Sequence, residues 1–274
     1  MEMHAKPYGL EQTLRSLPEP SSWPLSLPVS HLSVARWFES VINAGKLEPR
    51  FCDIFNESLI YLFYGGVFYR TATMATKNAA ELPIVFIFHP SLLQSVDRYY
   101  PFDTGGLAKR RFGDWTDKLV EYQERFRISG ASNSTVPSRL VYHLYGGNKG
   151  YLRGEVNPDL KNKPEPLPQL FEFLAADLTQ YGVDQRQASI EAHCKQAVPF
   201  DRDLLWVAFP DIKTKEFRPL FAQLYNWTKP STPKFFAYRS HSIISPREIA
   251  AQLQMAAHDA VIADFVQLPG EGDD

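Results

Sequence analysis

From Ser33 to Ala44 the apolar residues Val34, Trp37, Phe38, Val41 and Ile42 return at helical spacing. Ser33 is placed to cap that helix and Gly45 to end it. Asp114 to Phe126 repeats the spacing through Leu119, Tyr122 and Phe126, and Pro168 to Tyr181 repeats it up to Gly182. A short helix is expected at Glu216 to Leu224. The last helix has the strongest start signal: Ser245 as cap, Pro246 at the first position, and Glu248 closing a capping box. It should run to about Phe265 and be followed by the acidic end Gly270 to Asp274.

A different pattern, dense in β-branched and aromatic residues, marks the strands. Leu59 to Tyr64 and Val67 to Tyr69 flank Gly65-Gly66, which predicts two strands with a tight turn or one strand broken by a bulge. Pro83 to Phe88 is apolar throughout and reads as a buried strand. Ala188 to Cys194, Leu204 to Phe209 and Lys234 to Tyr238 are the remaining strands, whereas Ser129 to Ser138 and Asn157 to Pro168 read as loops. Residues 1–30 are rich in Pro and Ser and predict an extended arm pinned by Trp23. The expected organisation is therefore this arm followed by one globular α+β domain over residues 31–274, with a sub-boundary near 155–168. Because the strands fall into two groups, two small, mainly antiparallel sheets around a cleft are expected, flanked by helices.

Composition narrows the function. The chain has 274 residues and a formal net charge of −2, so nothing draws it generally to nucleic acid or anionic lipid. Only Cys52 and Cys194 occur, and the start lacks the profile of a signal peptide, which points to the cytoplasm. The apolar runs are strand-length, which gives no reason to expect a membrane role. Phosphate-loop, dinucleotide-fold and serine-hydrolase signatures are absent, and the seven histidines do not fall at metal-ligand spacings, so no metal is expected. Lys109-Arg110-Arg111, with Trp115, Arg125 and Arg127 nearby, is either a solvated face or a local phosphate patch. Within Pro101 to Gly106, Asp103 and Thr104 form either a site or a turn closed by an Asx-type bond.

Three segments together resemble the ADP-ribosyltransferase superfamily, in particular its toxin-like members. In residues 30–50, His31 precedes a helix, Gly45 and a short return to Arg50; in residues 61–70, a tyrosine-bearing strand meets Gly65-Gly66; and in residues 183–210, Glu191 lies in an apolar strand. Pro28 interrupts the strand expected before His31. The resemblance implies NAD as substrate, with His31 on the adenosine-side ribose and Tyr64 stacking on nicotinamide, Tyr61 or Tyr69 being the alternatives. It implies Glu191 as the catalytic carboxylate. Gly65 would admit a ligand close to the backbone, and Arg50 or Arg70 would neutralise the pyrophosphate. The acceptor would be a nucleic acid or a protein. The competing reading is a non-catalytic binding or regulatory module of a bacterial defence or toxin system. A nuclease working through Lys109, Arg110 and scattered carboxylates lacks an acidic pair at metal-binding spacing.

Overall fold

The computed structural model describes residues 9–67, 78–120, 123–130, 134–176, 185–228, 233–240, 248–249 and 251–255. It is α+β, with mainly antiparallel strand pairing. The chain forms two compact units, one of Met1–Pro24 with Val96–Ala192, the other of Leu25–Ser95 with His193–Asp274.

The first unit is mostly helical. Within the stretch expected to be an extended arm, α1 (Leu10–Ser16) is a helix that buries Leu10, Thr13 and Leu14. The second unit intervenes with β1 (Val29–Val34), α2 (Phe38–Ala44), β2 (Lys46–Leu47), β3 (Arg50–Cys52), β4 (Glu57–Tyr64) and β5 (Pro83–Phe88). The first unit resumes with β6 (Arg98–Tyr100), α3 (Thr104–Ala108), α4 (Asp114–Val120) and β7 (Ile128–Ser129), followed by α5 (Val136–Tyr145), α6 (Asn148–Arg153) and α7 (Leu167–Leu174). Its core is a set of edge-packed rings in which Phe173 meets Phe102 and Phe112 at 5.5 and 5.3 Å between centroids.

The strand β8 (Glu191–Cys194) carries the chain back to the second unit, which adds β9 (Val198–Pro199), α8 (Phe200–Asp203), β10 (Leu204–Pro210), α9 (Thr214–Trp227) and β11 (Lys234–Tyr238). Five of these strands stand in the order β11-β10-β5-β1-β4, with β3 pairing β4. Among the described residues a separate, short β2–β9 ladder accompanies this sheet. The pairs β1–β4, β1–β5, β5–β10 and β3–β4 are antiparallel, and β10 with β11 is parallel. On one face Phe86 stacks on Phe200 at 5.4 Å, and Phe38 of α2 meets Phe217 of α9 at 4.4 Å. On the other face Val85, Ile87, Ala208 and Tyr238 pack with Ile249 and Leu253, which belong to helical residues 248–249 and 251–255. Cover on both faces is why β5 is apolar at every position.

Three expectations change. Ser33 and Val34 are strand residues rather than a helix start, because β1 pairs with β5 along its whole length, from Val29↔Phe88 to Val34↔Pro83. Pro28 lies just before the strand and does not interrupt it. The loop expected at Ser129–Ser138 yields at Val136 to α5, whose buried Leu140, Val141, Leu144 and Tyr145 carry the helical period. Gly45 does end α2, at φ 66°. Phe68 to Tyr69, the start signal at Ser245-Pro246 and the end near Phe265 lie outside the described residues.

Candidate active site

The buried carboxylate of Glu191 is the focus of the first unit. Glu191 begins β8 between Ile190 and Ala192, and all three are fully enclosed. A carboxylate removed from water must be hydrogen-bonded, and the Thr104 hydroxyl donates to Glu191 Oε1. Thr104 is itself fully buried as the first residue of α3, whose N-cap Asp103 accepts from the Gly106 amide at 2.7 Å. The Asx-type bond expected within Pro101 to Gly106 is therefore present. The Asp103-Thr104 motif is also joined to Glu191, across 87 positions, a link that no local spacing encodes.

In the second unit, His31 lies on β1 where that strand parts from β4. The pairs Val29↔Tyr64 and Ser30↔Phe63 join the two strands, and beyond them the Tyr61 carbonyl takes a hydrogen bond from His31 Nδ1 at 2.8 Å. Burial pushes the His31 pKa down to about 4, the Tyr61 bond opposes this, and the positive charge of Arg50 adds to the fall. The imidazole is thus neutral at pH 7 with its proton on Nδ1, so Nε2 is an acceptor suited to a sugar hydroxyl. Arg50 is exposed and stacks on the half-exposed indole of Trp37 at 4.7 Å. Among the described residues it has no ion-pair partner, which leaves its guanidinium available to an anion. The Tyr61 hydroxyl meets Cys52 Sγ at 2.7 Å, and its ring packs edge-on against His193 at 4.6 Å.

The other expected residues are placed differently. Tyr64 is fully buried, and its hydroxyl accepts from the Leu27 amide at 2.8 Å, so it braces the core. Alternation along β4 puts Tyr61 on the opposite face from Tyr64. Gly65 adopts φ 68° and donates its amide to Pro28 at 2.8 Å, and the carbonyl of Gly66 accepts from Ser30 at 2.6 Å; the turn is tied back to its own chain. Tyr69 and Arg70 lie outside the described residues. The structure brings His31, Arg50 and Tyr61 together, and it adds Trp37, whose period had marked it as core. Arg110, from the basic cluster, pairs with Asp117 at 2.6 Å on the surface.

His143 of the first unit is also driven down to about 4, by burial first and then by Arg139 and Lys163. Both histidines stay neutral when folded but bind protons when unfolded. Stability from this source is complete above pH 6.5 and is lost as the pH falls from 6.5 towards 4. We expect thermal midpoints to drop over that window. His143→Gln should flatten the decline, and a midpoint independent of pH between 6.5 and 4.5 would contradict it.

Among the described residues no group of three or more His, Cys, Asp or Glu side chains stands together as around a metal, and no helix is long and apolar enough to cross a membrane. No family model and no curated protein matches the chain. Among solved structures, the chain is similar to DarT of Thermus sp. 2.9 in complex with NAD+, at 9% identity over 79% of this chain and 98% of that one, with a TM-score of 0.36. At that score the likeness carries no weight for activity, and the functional reading rests on the chain's own residues.

Proposed function

We propose that the chain is a NAD-dependent ADP-ribosyltransferase-like protein that moves ADP-ribose from NAD to a nucleic-acid or protein acceptor in the cytoplasm, without a metal. The observation that carries this reading is Glu191, a fully enclosed carboxylate on a strand, held by a threonine hydroxyl. The bond between nicotinamide and C1′ of the ribose breaks, nicotinamide leaves with the bonding pair, and the acceptor's oxygen or nitrogen bonds to C1′ while releasing its proton. Positive charge grows on the ribose ring in that transition state, and a fixed carboxylate in a dry setting opposes it strongly. His31 Nε2 would accept from the other ribose, and Arg50 would bind the pyrophosphate.

The test is release of nicotinamide and a rise in melting temperature when purified protein meets millimolar NAD and a mixed lysate as acceptor. Arg50→Ala should raise KM for NAD by roughly tenfold to a hundredfold with kcat little changed, the loss of a hydrogen-bonded charge. An unaltered KM would remove Arg50 from the site.

A second reading is favoured by one surface feature. Trp37 is 40% exposed, with Arg36 and Arg50 over its ring, the residue types that anchor protein interfaces. A non-catalytic module of a bacterial defence or toxin system would use such a surface. That reading requires neither NAD-induced stabilisation nor nicotinamide release.

A further inference from the structure

The segment leading to Glu191 is held by two tyrosine hydroxyls. Tyr145, at the end of α5, donates to the Ala188 carbonyl at 3.0 Å, and Tyr151, in α6, accepts from the Ile190 amide at 3.2 Å. One bond fixes a carbonyl and the other an amide two residues on. Together they set the peptide planes on both sides of Ser189, and hence the direction in which the next residue of that face, Glu191, leaves the backbone. Both rings are buried and meet edge to face at 5.0 Å.

The spacing of the two hydroxyls is built into the corner between the helices. Gly146 turns the chain at φ 73° and Gly147 at φ 135°, both in the region that favours glycine. A Cβ on Gly150 would stand 2.0 Å from the Tyr145 carbonyl oxygen, so α6 approaches α5 as closely as only glycine permits. Burial also raises the Tyr145 phenol well above its ordinary pKa, which keeps it a donor at every working pH.

We propose that Tyr145 and Tyr151 are positioning residues for Glu191, a clamp that aims its carboxylate by holding residues 188–190. This rests on the reading of Glu191 as the reacting carboxylate. Small errors of aim cost rate rather than affinity, because orientation is needed most in the transition state.

The test compares wild type with Tyr145→Phe, Tyr151→Phe and Glu191→Gln in nicotinamide release and in amide exchange of Ile190. Each Phe variant keeps its ring in the core and loses one hydroxyl. Each is expected to lower kcat by about tenfold to a hundredfold while KM for NAD stays within about twofold. In Tyr151→Phe the Ile190 amide should exchange at least about tenfold faster, with the amides of α7 unchanged. Wild-type kcat in both Phe variants, beside an inactive Glu191→Gln, would overturn the clamp while sparing the transferase reading. A fall in kcat matched by equal loosening throughout the unit would reduce the tyrosines to general core residues and would also overturn it. If wild type releases no nicotinamide, the transferase reading falls, and the clamp on residues 188–190 is decided by Ile190 exchange alone.

Discussion

Glu191→Gln is expected to abolish measurable nicotinamide release, with a fall in kcat on the order of 10²–10³ or more, while the protein still folds. The substitution keeps shape and volume, and the amide oxygen still accepts from the Thr104 hydroxyl that now holds Glu191 Oε1. What disappears is the negative charge. In water that charge would be worth little to a cationic ribose, but Glu191 is fully buried, where screening is weak and the surrounding dipoles are already in place. The cost to folding should stay near 1 kcal/mol, since one neutral hydrogen bond replaces one to an ion. Single-turnover nicotinamide release and a denaturant melt measure the two quantities. A variant that releases nicotinamide at the wild-type rate would end the role of Glu191, and a variant that does not fold would show its carboxylate to be structural.

The second large effect falls on stability. Phe86→Ala should destabilise the protein by about 3–5 kcal/mol, the range for removing a large buried ring from a core that cannot collapse around the loss. Phe86 is fully buried at the centre of the sheet, stacked on Phe200 at 5.4 Å and tilted against Phe38 at 6.0 Å. It also lies 6.4 Å from the ring of His31, across the pairing of β1 with β5. The cavity should therefore loosen His31 as well, raising its pKa from about 4 towards the ordinary 6.5. Phe51→Ala, at a ring 63% exposed, is the control and should change stability by less than about 0.5 kcal/mol. Urea melts of the two variants, with NMR titration of His31, decide both points. Equal stabilities would contradict the packing described for this face.

Some of the fold was legible because its cause is local. The apolar run Pro83–Phe88, buried at every position, and the aromatic run Lys234–Tyr238, exposed at three positions of five, are strands with the bounds expected, since residues of that kind favour extended backbone. Gly45 stops its helix because a left-handed residue is needed there whatever lies around it. The start of that helix was not legible. Ser33 and Val34 have a helical period, but pairing with Ile84 and Pro83 takes them into the sheet. Helix α5 carried a readable period at Val136, Leu140, Val141 and Leu144, obscured by the Gly, Asn and Ser of the preceding residues.

The candidate site divides in the same way. His31, Arg50, Tyr61 and Glu191 were singled out by the resemblance to the ADP-ribosyltransferase superfamily, and Glu191 also by its charge within an apolar strand. The register Val29↔Tyr64 puts His31 on the face of Tyr64, whose hydroxyl found the Leu27 amide in the core, whereas Tyr61 meets His31 through its backbone carbonyl and turns its ring to the other face. The partner of Glu191 is 87 positions away in Thr104, and the hydroxyls steering its strand come from a corner of three glycines. Hydrogen bonds act over about 3 Å in space and are indifferent to distance along the chain, so only the tertiary structure could decide which residues they join.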